Sequence, residues 1–369
     1  MHNEKKGHSA KTPLFHVARR AAIPAWKAWL IRLVALVLAL VVCAIVIYGI
    51  VKMNPLKVYS AMWSGAFGTP KRTWITIRDA MMLLCIGVGL APAFAMRFWN
   101  IGAEGQVLVG GIATAFCMIY LGKSVPTPVL LIIMFVVSAV AGMVWGLIPA
   151  LFKARWNTNE TLFTLMMNYV AIQLASFCVA KWEHPAGSNS VGIINQGTRE
   201  GWFPAIGGQQ YMLNVIIVLA LTVFVFIYLK KFKHGYEIAV VGESENTARY
   251  AGIKVSRVIL RTMCLSGAIC GIAGYIAVSG VSHTISTDTA GGRGFTAIIV
   301  AWMSKFNTLM MILIAFLLVF LEKGAIQIAS KYNLNDYASE IIKGIILFFL
   351  LGCEFFINYR LIFRSKEAN

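Results

Sequence analysis

Between Met96 and Phe116 the chain reads MRFWNIGAEGQVLVGGIATAF, a run apolar enough for a lipid bilayer except at Asn100, Glu104 and Gln106. The chemistry open to one carboxylate and two carboxamides is hydrogen bonding. They can hold a polar, hydroxyl-rich solute, with Glu104 accepting protons when ionised or donating one when burial keeps it protonated. Ionisable groups inside a membrane are expensive and ordinarily have a task, which favours a set that lines a path. A purely structural arrangement uses the same residues differently: Asn100 caps a helix, and Glu104, with Arg97 as neighbour, complements the positive end of the helix it opens.

Pro92 and Gly87, Gly89, Gly102 and Gly105 surround this stretch and break helical continuity. Broken backbone at membrane depth is tolerated only where protein or a wet cavity satisfies it, so the polar run should face inward. A second stretch, TAGGRGFTAIIVAWMSKF (289–306), has the same build. Gly102-Ala103-Glu104-Gly105 and Gly292-Arg293-Gly294 thus read as two related broken elements, one per half of the chain, and such pairs point to the central site of a transporter. Asn168, in TLFTLMMNYVAIQLA, lies near the middle of another apolar run and suits either an interhelical hydrogen bond or a solute contact. Phe98, Trp99, Phe295 and Trp302 fit ordinary packing, or stacking on a flat ring.

Composition defines the scaffold that must position these residues. Of 369 residues, 59% are hydrophobic and 13% charged, with a mean hydropathy of +0.73, whereas soluble domains carry about 25% charged residues. Apolar segments near the ~20 residues needed to cross a ~30 Å hydrocarbon core recur throughout. The expected fold is all-α, a polytopic transmembrane helical bundle with glycine-broken helices near the centre of both halves. Spans are expected near 33–51, 80–96, 105–121, 129–152, 161–180, 211–229, 262–281, 290–304, 308–322 and 341–358, about ten in all. The eighth and ninth are short enough to be re-entrant. The first run is longer than a signal-peptide core and lacks a small-residue cleavage site, so it reads as a retained helix. The organisation expected is a basic cytoplasmic segment 1–32, a membrane domain 33–358 and a tail 359–369.

The net charge of +18 sits mainly in short segments between apolar runs, a pattern explained by the positive-inside rule and not by nucleic-acid binding. Basic residues dominate both ends, which places both termini in the cytoplasm and requires an even number of spans. The segment 153–157, KARWN, is then cytoplasmic, and 181–210, with Trp182 and Trp202, external. Residues 52–79 resist this scheme: expected outside, they carry Lys52, Lys57, Lys71, Arg72 and Arg78 against Asp79. Gly142 and Gly146, and Gly267, Gly271 and Gly274, allow close helix approach in lipid. The seven cysteines fall in apolar runs and the six histidines are scattered, so neither a metal site nor clustered catalytic groups are expected.

The longest internal cytoplasmic segment is KKFKHGYEIAVVGESENTARYAGIKVSRVILR, 230–261. Ser244 can cap a short helix from Glu245 to Ala251, and Gly252 can end it in the left-handed conformation. Such a helix between two spans is either a docking knob or an ordinary solvated connection.

At these residues the sequence resembles the permease subunits of bacterial ABC importers for nucleosides and simple sugars, within the superfamily of branched-chain amino acid and ribose permeases. FWNIGAEGQVLVGG, TLFTLMMNYVA, VGESENTARYAGIKVSRV and GRGFTAIIVAWMSKFN match four family elements in order. The departures are Trp99 before Asn100, Ser244 and Thr247 where the family often has Asn and Ala, and the long basic N-terminus. The resemblance implies a permease of the bacterial cytoplasmic membrane that pairs with a second, similar permease. Separate ATPase subunits would drive it, and an external substrate-binding lipoprotein would deliver solute. It further implies that Asn100, Glu104, Gln106, Asn168, Phe295 and Thr296 lie along the solute path. Gly242, Glu243, Ala248, Arg249, Tyr250 and Gly252 would contact the ATPase. No GxxxxGK[ST] sequence occurs in the chain, so ATP would bind only at partner subunits and this chain would hold no cofactor. The alternative is an ion-coupled carrier of a small polar solute, which would have to use Glu104, with Glu322 and Glu354 near span ends.

Overall fold

The computed structural model describes residues 15–19, 24–51, 54–332 and most of 341–363. The chain divides into two units, one formed by residues 1–63 with 324–369 and the other by 64–323. In the first unit, helix α1 (Ala25–Val51) contains the apolar stretch Leu30–Val46, and helix α2 starts at Pro55 and runs to Phe67. The Tyr59 hydroxyl donates to the Leu40 carbonyl, and Met62 packs on Gly324, where a side chain would come within 3.0 Å of it. Ala35, Cys353 and Ile357 form a small buried cluster. This unit also departs from an all-helical fold: strand β1 (Phe15–Arg19) pairs antiparallel with β2 (Tyr359–Phe363), Phe15 opposite Phe363.

The second unit carries the long helices. They are α3 (Pro70–Ala95), α4 (Ala103–Leu121), α5 (Thr127–Trp156), α6 (Glu160–Trp182) and α7 (Met212–Lys231). The short helices α8 (Lys233–Glu243) and α9 (Glu245–Tyr250) follow, then α10 (Val255–Ala277), which continues into a π-helical turn, Val278–Ser282. The half-length α11 (Arg293–Met303) precedes α12 (Thr308–Lys331). Among the described residues seven helices are long and apolar enough to cross a membrane: α3 to α7, α10 with its π turn, and α12. The described residues between 341 and 357 are also helical.

Two local expectations change. Residues 70–79, assigned to an external connection, belong to α3: Thr69 accepts the Arg72 N–H and Pro70 occupies the first turn, a strong helix start. The expected span at 290–304 is only 11 residues of helix, about 16 Å at 1.5 Å per residue, half of a hydrocarbon core.

Within this unit α3 and α10 are buried along most of their length, while α5, α6 and α7 expose Val136, Val140, Met166, Phe177, Val223 and Phe224. Apolar faces of this kind are what membrane-spanning helices carry. In the interior the small residues meet: a Cβ on Gly271 of α10 would lie 2.2 Å from the Ser138 carbonyl of α5, and one on Gly110 of α4 would lie 2.3 Å from the Gly271 carbonyl. Three backbones therefore touch at one level, which lipid-embedded helices achieve only through residues without large side chains.

Candidate functional site

The site begins where α3 stops. Arg97 adopts a left-handed backbone (φ 61°), and its N–H bonds to the Phe94 carbonyl while the Phe98 N–H reaches back to Ala93. This is a Schellman-type end. Residues 97–102 then run without helix, and each exposed backbone group must find a partner inside the protein.

Side chains supply those partners. Asn100 is fully buried; its Oδ1 accepts the Gly102 N–H (3.1 Å) and its Nδ2 donates to Ser266 Oγ (3.2 Å), at the middle of α10. Asn100 and Gln106 also exchange two amide hydrogen bonds of 3.3 Å. Asn168 of α6 accepts the Gly105 N–H (2.8 Å) and donates to the Ile101 carbonyl (2.9 Å). Thr164, one turn earlier on the same face, accepts the Ile101 N–H at 3.1 Å. Asn100, Gln106 and Asn168 thus face protein and hold the break between α3 and α4 in shape.

Glu104 behaves differently. Its two carboxylate oxygens accept the backbone N–H groups of Gly292 (2.6 Å) and Gly294 (2.7 Å), at the N-terminus of α11. A carboxylate on the first turn of α4 therefore caps the first turn of α11, across a sequence separation of 190 residues. The approach is tight: a Cβ on Gly294 would come within 2.6 Å of the Glu104 backbone nitrogen. The two glycine-broken elements are joined at this point. Phe295 and Trp302, seven residues apart on one face of α11, are exposed, as is Trp99, whose ring stacks on that of Trp302 with centroids 5.1 Å apart. Thr296 is partly buried and its hydroxyl donates to the Gly292 carbonyl at 3.4 Å.

A second carboxylate holds the same helix end. Asp79 of α3 is buried and pairs with Arg78 (2.9 Å), Lys323 (2.5 Å) and Arg293 (3.6 Å), the residue between the two glycines capped by Glu104. Sequence reading counted Arg78 and Asp79 as loop charges and missed this hub, together with Thr164 and Ser266. The only local hint was an adjacent Arg–Asp pair within reach of an apolar run. Asp79→Asn leaves three cations around a neutral amide and should lower stability by about 3 kcal/mol. Lys323→Met, which keeps two arginines on Asp79, should cost about 1 kcal/mol or less. Thermal unfolding of both variants in detergent checks the order; equal losses would mean that the carboxylate is not the hub.

The segment expected to dock a partner folds as α8 and α9. Ser244 Oγ accepts the Thr247 N–H (3.3 Å) and Gly252 closes α9 with φ 78°. Ala248 is buried, Glu243 and Arg249 are exposed, and Tyr250 is 94% exposed. Arg249 pairs with Glu245 at 3.6 Å. Gly242 faces inward: a Cβ there would lie 2.2 Å from the Ala95 carbonyl. The end of α8 therefore rests directly on the last residue of α3, where the broken segment begins. Burial keeps the His234 imidazole below its usual range, so it is neutral at pH 7, and its Nδ1 lies 2.5 Å from the Tyr228 hydroxyl at the junction of α7 and α8.

Among the described residues no group of histidine, cysteine and acidic side chains could hold a metal ion. What the geometry offers is a jointed membrane core with an exposed knob attached to one of its joints. The chain is 29% identical over 329 residues to the guanosine ABC transporter permease protein NupP of Bacillus subtilis, covering 87% of this chain and 92% of that one. It is 27% identical over 357 residues to the glucose ABC transporter permease protein TsgB13 of Haloferax volcanii, covering 92% of each. Identity to the nucleoside ABC transporter permease protein NupB of Lactococcus lactis is 23% over 330 residues, 87% of this chain and 90% of that one. A family model described as branched-chain amino acid transport system / permease component matches residues 74–351, and with that match over most of its length the chain belongs to this family of membrane permease components.

Proposed function

We propose that this chain is the membrane permease of an ABC importer for nucleosides or simple sugars, with the solute passing beside the joint made by Glu104 and the N-terminus of α11. The observation that carries the reading is the pair of hydrogen bonds from Gly292 and Gly294 to Glu104. A half-length helix whose positive end opens inside a membrane domain is the usual device for holding a polar solute at mid-depth. Phe295, Thr296 and the Trp99 and Trp302 pair supply an aromatic and hydroxyl-bearing wall beside it. Asn100, Gln106 and Asn168 act on the path by fixing the joint. The chemistry suits an uncharged, hydroxyl-rich ring.

In this reading the chain does no chemistry of its own. ATPase subunits engage the exposed face of α9, a second permease completes the path, and an external lipoprotein delivers the solute. The two termini lie in the cytoplasm of a bacterial cell. The membrane-embedded helices are α1, the seven long ones, the half-helix α11 and the helix near 341–357. Alternating access follows from motion of α8 transmitted to the end of α3 and on to the α4 and α11 joint.

The test is solute-dependent ATP hydrolysis in liposomes containing this chain with its partner permease, ATPase and binding protein, assayed across a panel of nucleosides and sugars. Stimulation by one class names the solute. Uptake that ignores ATP and follows an ion gradient overturns the proposal.

A further inference from the structure

The ends of α3 and α11 are built alike. At each, a cation takes the left-handed position and a phenylalanine follows: Arg97 (φ 61°) with Phe98, and Lys305 (φ 50°) with Phe306, which in the second turn is itself left-handed (φ 60°). The hydrogen bonds repeat too, Arg97 N–H to Phe94 and Phe98 N–H to Ala93, then Lys305 N–H to Trp302 and Phe306 N–H to Ala301. Glycine ordinarily fills the left-handed position, because a side chain there is strained. A cation at a helix C-terminus offsets the dipole, but that gives no reason for both to converge on one place.

They do converge. Arg97 and Lys305 line one cavity of about 430 Å³ together with Lys230, the penultimate residue of α7. Its walls include Phe94, Phe226, Leu229 and Phe306, and among the described residues Glu243 is its one carboxylate. Among the described lining residues, Arg97 and Lys230 thus stand with Lys305 beside a single acid. Lys230 lies over the Phe226 ring at 4.4 Å, and among the described residues neither Arg97 nor Lys230 makes an ion pair. Thr308, the first residue of α12, also lines the cavity and adds the positive end of a 24-residue helix.

We infer that this cavity binds the phosphate of an anionic phospholipid from the cytoplasmic leaflet, with the start of an acyl chain against Phe226 and Leu229. The volume is that of a small-molecule site, too small for a partner's folded segment. The cavity adjoins the last turn of α7, whose apolar Ile227 is exposed. A cationic pocket with aromatic walls at the cytoplasmic end of a span is what an anionic headgroup requires. Gly242 lines the same cavity, so a bound lipid would brace α8 against α3. The cytoplasmic assignment rests on the orientation proposed above; the binding chemistry does not depend on which solute is carried.

The test exploits the left-handed turns. Arg97→Gly and Lys305→Gly remove the cations while giving each turn the residue it ordinarily takes, so folding should survive. The full chain, purified from phosphatidylglycerol nanodiscs and stripped with detergent, is examined by native mass spectrometry for retained lipid. The unaltered chain should keep phosphatidylglycerol and not phosphatidylcholine. Each glycine variant should lower retention about fivefold, and the double variant about thirtyfold, as expected for headgroup contacts by single cations. Equal retention by the double variant overturns the site. Inorganic phosphate or glycerol phosphate stabilising the chain in phosphatidylcholine discs as well as phosphatidylglycerol does would assign it to a free anion and overturn the lipid source. Unchanged retention with loss of ATPase binding would make the cavity a subunit contact, again overturning the proposal. None of these readouts uses solute or ATP, so failure of the transport reading is seen separately.

Discussion

Glu104→Gln should lower uptake at least about tenfold while the amount of chain in the membrane stays the same. The two N–H groups that cap α11 lie 2.6 and 2.7 Å from separate carboxylate oxygens. A glutamine offers one oxygen and turns an NH2 donor toward the other N–H. Hydrogen bonds to a charged group contribute about 1.5–3 kcal/mol, and losing about 2 kcal/mol moves a two-state equilibrium roughly thirtyfold, since 1.4 kcal/mol is tenfold. Because neither end of the joint lies in the small-residue core around Gly271, insertion and folding should persist. Gly294→Ala approaches the same joint from the other side: its Cβ would sit 2.6 Å from the Glu104 nitrogen and from Oε2. It should reproduce the loss while leaving Glu104 chemically unchanged. Proteoliposome uptake, normalised to membrane content, measures both. Full uptake by Glu104→Gln would reduce Glu104 to a helix cap with no part in transport.

The two halves of the joint were legible in the sequence because each is written locally; that Glu104 caps the N-terminus of α11 was not, since the contact spans 190 residues. Gly102 to Gly105 and Gly292 to Gly294 are glycine breaks before apolar helices, and the Ser244 cap with Gly252 eight residues later is a local signal of the same sort. The fate of Asn100, Gln106 and Asn168 was not legible. A buried carboxamide that satisfies broken backbone and one that faces a solute have the same sequence context, and only the partners, Ser266 and Ile101 among them, tell them apart. The Asp79 hub failed for a related reason. Arg293 and Lys323 are more than two hundred residues away from Asp79, so counting charges over 52–79 made a basic loop out of a helix start whose charges are partly paired from afar. The start itself was readable: Thr69 followed by Pro70 is a cap and first-turn pair, overlooked because Arg72 and Arg78 lowered the apparent hydropathy of the turns that follow. The half-length of α11 was legible only as an alternative, since a short apolar run fits a span or a half-helix equally well, and the pairing of β1 with β2 depends on residues at opposite ends of the chain.

The second large effect separates docking from transmission. Replacing Arg249 and Tyr250 together with alanine should weaken ATPase association about thirtyfold or more, the scale of exposed tyrosine and arginine anchors at interfaces. Both side chains are exposed, Tyr250 at 94%, so the fold should be unaffected. Gly242→Ala alters nothing on that surface but puts a Cβ 2.2 Å from the Ala95 carbonyl, and overpacking of this kind costs about 1–3 kcal/mol. The end of α8 must then shift away from α3, and the break at 97–102 loses the contact through which it can be moved. ATPase subunits should still bind and hydrolyse ATP, with solute no longer stimulating them and uptake falling at least about tenfold. The two phenotypes differ in kind, and subunit pull-down beside solute-stimulated hydrolysis distinguishes them. Should Gly242→Ala lose ATPase binding to the same degree as the surface variant, α8 is part of the docking face and the route from α8 through Ala95 to Glu104 is wrong. Should it retain full solute stimulation, the contact with Ala95 is packing alone, and force must enter the core through α10, which follows α9 directly and meets Asn100 through Ser266.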